Sequence, residues 1–425
     1  MFLDKFKIIV YIIYQRNNNF KVYLEKNELF SKGGQILNRT VAIICEYNPF
    51  HNGHKYQIDK IKADFPNANI IAIMSGNVTQ RGEFAIFDKY SRAKSAILNG
   101  VNAVFEIPYP FSAANAEIFA FKGVEIAYGL GADVLCFGSE SNEISYLTEI
   151  ANAIDTIEFE QRMAEYLKDK SKSYSVAREL VLNDMGMTVP KSSNDILGVE
   201  YLRAIRKIAP EMTPYTVKRV GSGYKDTEYS AIMSAGAIRK FFYESGELTS
   251  VPSESMQLFD ENIKNGHYLD IDEMRAFLFR NVLRSSPKEM ENLFDTPTGC
   301  GFFIYETAKN CKDFNEFFIK LTSKSYTNAR LRRIVMYLAT NTTYIDKNIH
   351  YTTLLASDEK GRAHIKSIKK TTPLTILTKY SDTKKLNSNE LDFYNSSKKA
   401  DELYCSLLKS PLPSSEAYRN NAIVL

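Results

Sequence analysis

Short, nearly continuous apolar runs alternate with amphipathic stretches through the first half of the chain. Such runs are typical of parallel strands buried on both faces of a sheet, and the stretches between them have helical periodicity. The alternation predicts a doubly wound parallel α/β sheet. The predicted strands are Val41–Cys45, Asn69–Met74, Ala103–Ile107, Asp133–Phe137 and Met212–Val220, and the helices between them include His54–Lys62, Lys89–Asn99, Ala113–Gly129 and Ile144–Ile154.

The second half of the chain has a different pattern. A charged helical stretch at Glu158–Met185 and a capped helix at Ile196–Ile208 lead to successive amphipathic segments after residue 250. These segments are Met274–Leu283, Pro287–Leu293, Phe302–Lys309, Phe314–Leu321 and Asn387–Leu407, while Leu374–Thr378 resembles a small strand. We therefore predict an α/β domain at residues 37–250, followed by a mainly α-helical domain at residues 251–425.

The composition fits a globular protein and excludes several other classes. Of the 425 residues, 44% are hydrophobic and 24% are charged, and the net charge of +4 neither requires nor excludes nucleic acid. The five cysteines form no Cys-x-x-Cys pair, which predicts reduced cytoplasmic thiols and argues against a zinc site. No apolar stretch reaches the length of a membrane-spanning helix. We expect a cytoplasmic protein without a membrane partner, a resident metal ion or a stable protein partner.

Residues 1–36 are predicted to be foreign to the native protein. Lys32-Gly33-Gly34 can be encoded by a purine-rich stretch that resembles a bacterial ribosome-binding site, and Leu37 would then be a TTG start codon. The apolar run Ile8–Tyr14 is short and is followed by no cleavage site, so it is a poor signal peptide. We expect residues 1–36 to pack poorly against the rest of the protein.

Two histidines at a predicted strand-to-helix turn are the strongest sign of chemistry. The chain has five histidines, and His51 and His54 flank Gly53 shortly after the first predicted strand. A helix that begins there would direct its unpaired N–H groups and its positive dipole end at the turn. With the two imidazoles, this helix start predicts a phosphate site for a nucleotide. An ordinary polar turn is the alternative.

Other polar loops are expected at the same edge of the sheet. Arg81 follows the second strand and could contact a phosphate or a carboxylate, and Gly138 would let an adenine or a ribose lie against the backbone. Ser234–Arg239 has the form of a capped helix start with a basic residue, which favours phosphate. Solvated loops and plain caps explain these features nearly as well. The basic residues Lys89 and Arg92 are expected at the surface.

Cations are concentrated in two segments of the second half. The first segment, Lys324–Arg333, combines basic residues with Tyr326. The second contains Lys360, Arg362, Lys366, Lys369 and Lys370. Arginines beside an aromatic ring suit RNA, because the phosphates pair with cations while the bases stack. Affinity for RNA comes from summed phosphate contacts. The alternative is a solvated helix face.

Several longer motifs occur in a fixed order along the chain. They are Cys45-Glu46-Tyr47-Asn48-Pro49-Phe50-His51-Asn52-Gly53-His54, Met74-Ser75-Gly76-Asn77, Gln80-Arg81-Gly82-Glu83, Cys136-Phe137-Gly138-Ser139-Glu140, Asn194-Asp195-Ile196-Leu197-Gly198-Val199-Glu200-Tyr201, Lys218-Arg219, Ser234-Ala235-Gly236-Ala237-Ile238-Arg239 and Tyr326-Thr327-Asn328-Ala329-Arg330-Leu331-Arg332-Arg333. This set resembles the tRNA(Met) cytidine acetate ligase family, a branch of the HxGH nucleotidylyltransferase superfamily. The resemblance runs from about Val41 to the C terminus, and Phe84 is a departure where a proline is more typical.

The resemblance implies a Rossmann-like nucleotidylyltransferase fold and an ATP-dependent ligase. In the implied reaction, ATP activates acetate as acetyl-adenylate and releases pyrophosphate. The acetyl group then passes to the wobble cytidine of elongator tRNA(Met), giving N4-acetylcytidine. ATP would be a substrate accompanied by Mg²⁺, and the anticodon arm of the tRNA would be the macromolecular partner.

The same resemblance implies a set of site residues. The ATP-binding residues would be Ile44, Cys45, Glu46, Tyr47, Asn48, Pro49, Phe50, His51, Asn52, Gly53, His54, Lys55, Tyr56, Gln57, Gly138, Asn194 and Arg219. His51, His54 and Arg219 would be catalytic, and Arg239 would help to neutralise the pyrophosphate. The basic cluster assigns tRNA binding to Arg330, Arg332 and Arg333.

Two other functions stay open at the level of sequence. One is a nucleotidylyltransferase that acts on a small phosphorylated cofactor precursor, although such a substrate needs no long basic second half. The other is a non-catalytic RNA-binding protein with a nucleotide-sensing domain, which the intact pair His51 and His54 disfavours.

Overall fold

The computed structural model describes residues 39–169, 172–220, 232–322, 326–418 and 421–425. The predicted start at Leu37, the segment 1–36 and Lys324 lie outside these residues. Within the described part of the chain, every helix is too short or too polar to cross a lipid bilayer.

A sheet of eight strands forms the centre of the described structure. The strands are β1 (Thr40–Cys45), β2 (Asn69–Ser75), β3 (Ala103–Ile107), β4 (Val134–Ser139), β5 (Thr213–Lys218), β6 (Tyr351–Ser357), β7 (Thr375–Leu377) and β8 (Ile423–Val424). Their order is β5-β4-β1-β2-β3-β6-β7, and β8 pairs with β6. The first five strands pair with one another in parallel, whereas β6 is antiparallel to β3. The chain order reverses at β1, because β2 lies on one side of it and β4 on the other.

Helices cover both faces of the sheet, and each face has its own apolar core. Side chains alternate along β1, so that Ala42 and Ile44 pack in one core while Val41 and Ile43 pack in the other. The helices of the first half are α1 (Asn52–Asp64), α2 (Lys89–Leu98), α3 (Ala116–Gly129), α4 (Ile144–Ile154), α5 (Ile157–Tyr166), α6 (Tyr174–Asp184), α7 (Ser193–Ile208) and α8 (Ala235–Ser245). The predicted doubly wound α/β sheet is confirmed.

The predicted helical stretch Glu158–Met185 is two helices, α5 and α6. The second helix begins after Ser173, whose side chain accepts the N–H of Val176 and so caps it.

The described second half of the chain adds eight helices, most of which pack around a third apolar core. They are α9 (Ser253–Asn265), α10 (Ile271–Arg284), α11 (Pro287–Glu291), α12 (Cys300–Lys309), α13 (Phe314–Leu321), α14 (Asn328–Thr340), α15 (Glu359–Ile368) and α16 (Ser388–Ser406). Val78 and Phe84, from the loop after β2, are buried in the same core. The third core therefore joins the two halves of the chain.

The structure differs from the predicted mainly helical domain at residues 251–425. Part of this segment returns to the central sheet, where β6 covers the side of β3 that a separate first domain would leave as an open edge. Helix α16 also reaches the first half, because Asp401 accepts hydrogen bonds from Lys89 Nζ at 2.6 Å and from Asn77 Nδ2 at 2.9 Å. Residue 250 is thus no boundary between two independent bodies.

Two basic residues of α2 lie in the interior, against the prediction that they are at the surface. Lys89 is 6% exposed and Arg92 is fully buried. Lys89 Nζ bonds Glu106 at 2.8 Å as well as Asp401. The prediction was wrong because these partners come from elements that are distant in sequence.

Candidate active site

The predicted nucleotide site lies where the parallel strands end and the strand order reverses. β1 pairs with β4 in a register that sets Ile43 beside Cys136, so the chain leaves both strands at the same edge. Ligands of open α/β sheets bind at this kind of edge. We refer to the turn Glu46–His54, together with the exits of β4 and β5, as the nucleotide edge.

His51 and His54 form a stacked pair at the start of α1. Their ring centroids are 3.7 Å apart, with 23° between the ring planes. His51 is the N-cap, and its Nδ1 accepts the Gly53 N–H at 3.0 Å, while His54 Nδ1 accepts the His51 N–H at 3.2 Å. Because each Nδ1 is an acceptor, we assign the proton of each neutral ring to Nε2. The pair therefore has two Nε2–H donors to offer a ligand.

Both imidazoles are neutral at pH 7. Burial, followed by the charges of Arg219 and Arg239, lowers the pKa of His51 from its usual 6.5 to about 3. Burial, followed by His51 and Arg219, lowers the pKa of His54 well below its usual value. The arginines act on this pair because they face the same space. A polyphosphate bound there would meet two guanidinium charges and two neutral donors.

The first N–H groups of α1 are bonded within the protein. The Asn52 N–H donates to the Ser250 carbonyl at 2.9 Å and the His54 N–H to the His51 carbonyl at 2.8 Å, while the Gly53 N–H donates to the His51 ring. The prediction that unpaired N–H groups of this helix face the phosphate is therefore wrong. Ser250 is far away in sequence, so no local pattern could reveal it as the partner. The helix dipole remains as a favourable contribution.

Contacts from distant segments hold the turn before the histidine pair. Asn48 Oδ1 accepts the Ile86 N–H at 2.9 Å, and the Asn48 carbonyl accepts a hydrogen bond from Arg239 at 2.7 Å. Glu46 Oε1 accepts the Gln80 N–H at 2.8 Å. Asn48 and Glu46 thus support the shape of the turn, and the ATP contacts predicted for them stay a prediction.

A second group of predicted residues meets at the exits of β4 and β5. Asn194 Nδ2 donates to Glu140 Oε1 at 2.6 Å, and Arg219 Nε lies 3.4 Å from the same oxygen. Gly138 lies next to them: a Cβ atom added at this glycine would be 3.2 Å from Arg219 Cγ. The structure thus brings Gly138, Asn194 and Arg219 together. The role of Glu140 was not predicted from the sequence. Glu140 ends the motif that begins at Cys136, but the motif does not show that Asn194 and Arg219 are its partners.

Asp195 is a further residue whose role the sequence did not reveal. Its buried carboxylate accepts Ser139 Oγ at 2.5 Å and the N–H groups of Glu140 and Ser141 at 3.1 Å. These bonds tie the loop after β4 to the start of α7. In the sequence, Asp195 stands in a group of helix-capping residues, but Ser192 is the residue that caps α7.

The other predicted ATP residues lie in β1, in the turn or along α1. Gln57 Nε2 donates to Cys136 Sγ at 3.4 Å, and Lys55 pairs with Asp59 at 2.6 Å. Burial raises the pKa of the Cys45 thiol far above its usual value, so this thiol is no nucleophile. Ile44, Tyr47, Pro49 and Phe50 are buried, and Asn52 and Tyr56 are partly buried.

The three arginines predicted to bind tRNA lie on α14, and Arg330 and Arg332 form ion pairs within the protein. Arg330 bonds Asp295, with its Nε 3.1 Å from the carbonyl oxygen, and Arg332 pairs with Glu83. Arg333 is 6% exposed and has little surface for a ligand to reach. We refer to α14 as the arginine helix. Its contact with tRNA stays a prediction.

The second group of predicted RNA-binding cations lies at the other edge of the sheet. Ser357 at the end of β6 pairs with Ala103 at the start of β3, and α15 follows directly. Lys360 of α15 bonds the carbonyls of Asn67 and Ala68, which precede β2. The cations of α15 are therefore separated from the nucleotide edge by the length of a strand, about 20 Å.

The fold and the site define a nucleotidylyltransferase of the HxGH class, and comparison with known proteins agrees. A family model described as HIGH Nucleotidyl Transferase matches residues 38–420. The tRNA(Met) cytidine acetate ligase of Thermoanaerobacter sp. (strain X514) is 34% identical over 369 residues, which cover 82% of this chain and 90% of that protein. The ligase of the same name from Clostridium acetobutylicum is 32% identical over 410 residues, or 90% of this chain and 99% of that protein.

Solved structures give the same result. Thermotoga maritima TmcAL bound with alpha-thio ATP superposes with a TM-score of 0.83 at 27% identity, covering 91% of this chain and 99% of that chain. Its apo form gives a TM-score of 0.84 at 28% identity. The chain belongs to the tRNA(Met) cytidine acetate ligase family.

Proposed function

We propose that this protein uses ATP and acetate to acetylate the wobble cytidine of elongator tRNA(Met) in the cytoplasm. The observation that carries the proposal is the stacked pair His51 and His54 at the reversal of strand order, in a chain whose relatives are named tRNA(Met) cytidine acetate ligase. The solved relative bound to an ATP analogue supports ATP as the nucleotide.

In the first step, a carboxylate oxygen of acetate attacks the α-phosphorus of ATP. The bond from this phosphorus to the bridging oxygen of pyrophosphate breaks, and acetyl-adenylate forms. The Nε2–H groups of His51 and His54 would donate to the phosphate oxygens as negative charge grows, and Arg219 and Arg239 would neutralise the leaving pyrophosphate. This chemistry needs no covalent protein nucleophile, because positioning and charge stabilisation supply the catalysis.

The adenosine would lie against the exits of β4 and β5. Gly138 would let it approach the backbone there, and Asn194 would fix the ribose or a phosphate while Glu140 orients its amide. Glu140 also lies beside the Arg219 side chain. A single carboxylate thus positions two of the predicted ATP ligands.

Mg²⁺ would accompany ATP and screen the charge of its phosphates. The described residues contain no group of three or more His, Cys, Asp or Glu side chains that could hold a metal ion. Magnesium ions commonly keep several waters and bind through the phosphates of a substrate. This chain therefore fits Mg²⁺ as an ion carried by ATP.

In the second step, the exocyclic amine of cytidine attacks the acetyl carbonyl and AMP leaves with its oxygen. The amine loses a proton in forming the amide. Arg330 and Arg332 would contact the phosphates of the anticodon arm, and Arg333 would hold the helix that carries them. Arg332 is supported as a contact because 36% of its side chain is exposed and it lies over the Phe318 ring at 4.7 Å.

One assay tests the function and its rival. The protein is incubated with ATP, labelled acetate and a tRNA(Met) transcript, and label in the RNA is measured together with released pyrophosphate. We expect both products, and we expect pyrophosphate alone when uridine replaces the wobble cytidine. Release of pyrophosphate that is independent of acetate, with a phosphorylated small molecule as acceptor, would contradict the proposal.

A further inference from the structure

Arg92 is a fully buried cation directly behind the nucleotide edge. It lies in the first turns of α2 and is 0% exposed. A buried guanidinium needs hydrogen-bond partners for its donors, because leaving them unpaired away from water is costly. The identity of those partners decides what the residue does.

The partners of Arg92 are backbone carbonyls from three segments. Nη1 donates to the carbonyls of Glu46 at 2.5 Å and Ser75 at 3.2 Å, and Nη2 donates to the Gly76 carbonyl at 2.6 Å. Nε donates to the Phe87 carbonyl at 2.9 Å, just before α2. The guanidinium therefore ties together the exit of β1, the exit of β2 and the start of α2.

These exits lead directly to the residues of the nucleotide edge. Cys45 pairs with Met74, so the two chains leave β1 and β2 side by side. The chain after Glu46 forms the turn to the histidine pair, and the chain after Gly76 carries Gln80, whose N–H bonds the Glu46 carboxylate. Glu46 is thus held at its carbonyl by Arg92 and at its side chain by the loop after β2.

Another buried arginine offers a contrast. Arg203 is 8% exposed, and it bonds the carboxylates of Asp155 at 2.7 Å and Glu200 at 2.5 Å. Both partners are side-chain carboxylates, one on α7 itself and one at the end of α4, so Arg203 forms ion pairs within its own helix and to α4. Arg92 fixes the backbone itself, and a lysine cannot reproduce its planar fork of donors.

We propose that Arg92 is a positioning residue for ATP, which sets the turn from Glu46 to His51 through the carbonyls of Glu46, Ser75 and Gly76. The proposal rests on the proposed function, because it assigns Arg92 to the ATP site of the same reaction. Arg92 touches no substrate in this role. It acts through the position of the histidine pair.

The test compares Arg92→Lys with Arg203→Lys, which removes the fork of a similarly buried arginine elsewhere. Unfolding midpoints, equilibrium ATP binding and acetate-dependent ATP–pyrophosphate exchange are measured for each folded variant. We expect Arg92→Lys to weaken ATP binding and raise KM for ATP about tenfold. Arg203→Lys should lower the unfolding midpoint while changing KM for ATP less than about twofold. Arg92→Met, which loses the charge as well, should weaken ATP binding at least as much as Arg92→Lys.

A folded Arg92→Lys protein with the ATP affinity of the wild type would overturn the proposal. The proposal would also fall if both Arg92 variants failed to fold, since Arg92 would then serve folding alone. Equilibrium ATP binding is measured apart from catalysis, so it distinguishes a failure of the Arg92 proposal from a failure of the proposed function. A wild-type protein that binds ATP without acetate-dependent exchange would contradict acetate activation and leave the Arg92 comparison readable.

Discussion

The nucleotide edge and the arginine helix were both predicted from short motifs, and they differ in how their charged groups are used. At the nucleotide edge, Arg219 and Arg239 face the histidine pair, and burial followed by these two charges lowers the pKa of His51. On the arginine helix, Arg330 and Arg332 are paired with Asp295 and Glu83. The ion pairs at the nucleotide edge are long, at 3.4 Å from Arg219 to Glu140 and 3.9 Å from Arg239 to Glu83, whereas those of the arginine helix are 2.5 Å.

The difference shows what each kind of motif can predict. Part of the histidine turn is made by contacts between residues two or three apart, such as the Gly53 N–H to His51 Nδ1, and this local part is what the motif predicts. A basic cluster contains no information about its acidic partners. Glu83 lies far from Arg332 in sequence, and only the fold brings them together.

The largest expected effect is at the nucleotide edge. His54→Ala removes one Nε2–H donor and the acceptor of the His51 N–H, so acetate-dependent ATP–pyrophosphate exchange should fall about 100-fold or more. Affinity for tRNA should stay within about twofold of the wild type, because the RNA contacts lie elsewhere. His350→Ala is the control, since this half-exposed histidine pairs with Glu125 at 3.0 Å. Normal exchange in His54→Ala would remove the histidine pair from the mechanism.

The next effect concerns stability and tests the arginine helix. Arg333 is buried, and its backbone packs closely against Gly82. A Cβ atom added at Gly82 would lie only 2.6 Å from the Arg333 backbone nitrogen. Arg333→Ala should lower the free energy of unfolding by about 2–4 kcal/mol through lost packing. Chemical denaturation measures this change. A loss of tRNA affinity at unchanged stability would instead make Arg333 a direct RNA contact.

Most of the fold could be predicted from the sequence, because its strands and helices have local patterns. The features that were not predicted depend on contacts between distant residues. The parallel strands and their helices show two clear periodicities, and their predicted bounds agree with the structure within a few residues. Strand β6 was missed because Tyr351–Ser357 has no partner nearby in sequence and pairs with β3 across the second half. Of the site, Gly138, Asn194 and Arg219 do meet. The links through Glu140, Ser250 and Arg92 depend on tertiary contacts, which a single sequence does not display.

The third effect is a pH dependence that originates at the nucleotide edge. The pKa of His51 is about 3 in the folded protein and 6.5 when the ring is unperturbed, so the unfolded state gains a proton first as the pH falls. Stability should therefore decrease between about pH 6.5 and pH 3, by about 1.4 kcal/mol per pH unit for this group. His51→Gln should show a shallower decrease from pH 7 to pH 5 in denaturation experiments. Equal slopes for the two proteins would contradict a buried neutral His51.

A smaller effect is expected where the arginine helix is exposed. Arg332→Ala should weaken tRNA binding about three- to tenfold and reduce the salt dependence of binding by about one phosphate contact. Exchange of pyrophosphate should be unaffected. Arg280→Ala on α10 is a matched control, because this exposed arginine also pairs with a carboxylate, Glu273, at 2.7 Å. Equal tRNA affinity in Arg332→Ala and Arg280→Ala would make Arg332 a purely internal partner of Glu83.

The smallest effect is expected from α15, and it separates charge from position. The triple change Lys366→Ala, Lys369→Ala and Lys370→Ala removes more positive charge than Arg332→Ala. If net charge governed tRNA binding, the triple variant would bind more weakly. Because α15 lies beyond the amino-terminal ends of the parallel strands, we expect its tRNA affinity to change by less than about twofold at physiological salt, where charges more than about 8 Å apart are screened. Titration of labelled tRNA at two salt concentrations measures both variants. A larger loss in the triple variant would place the tRNA across both edges of the sheet.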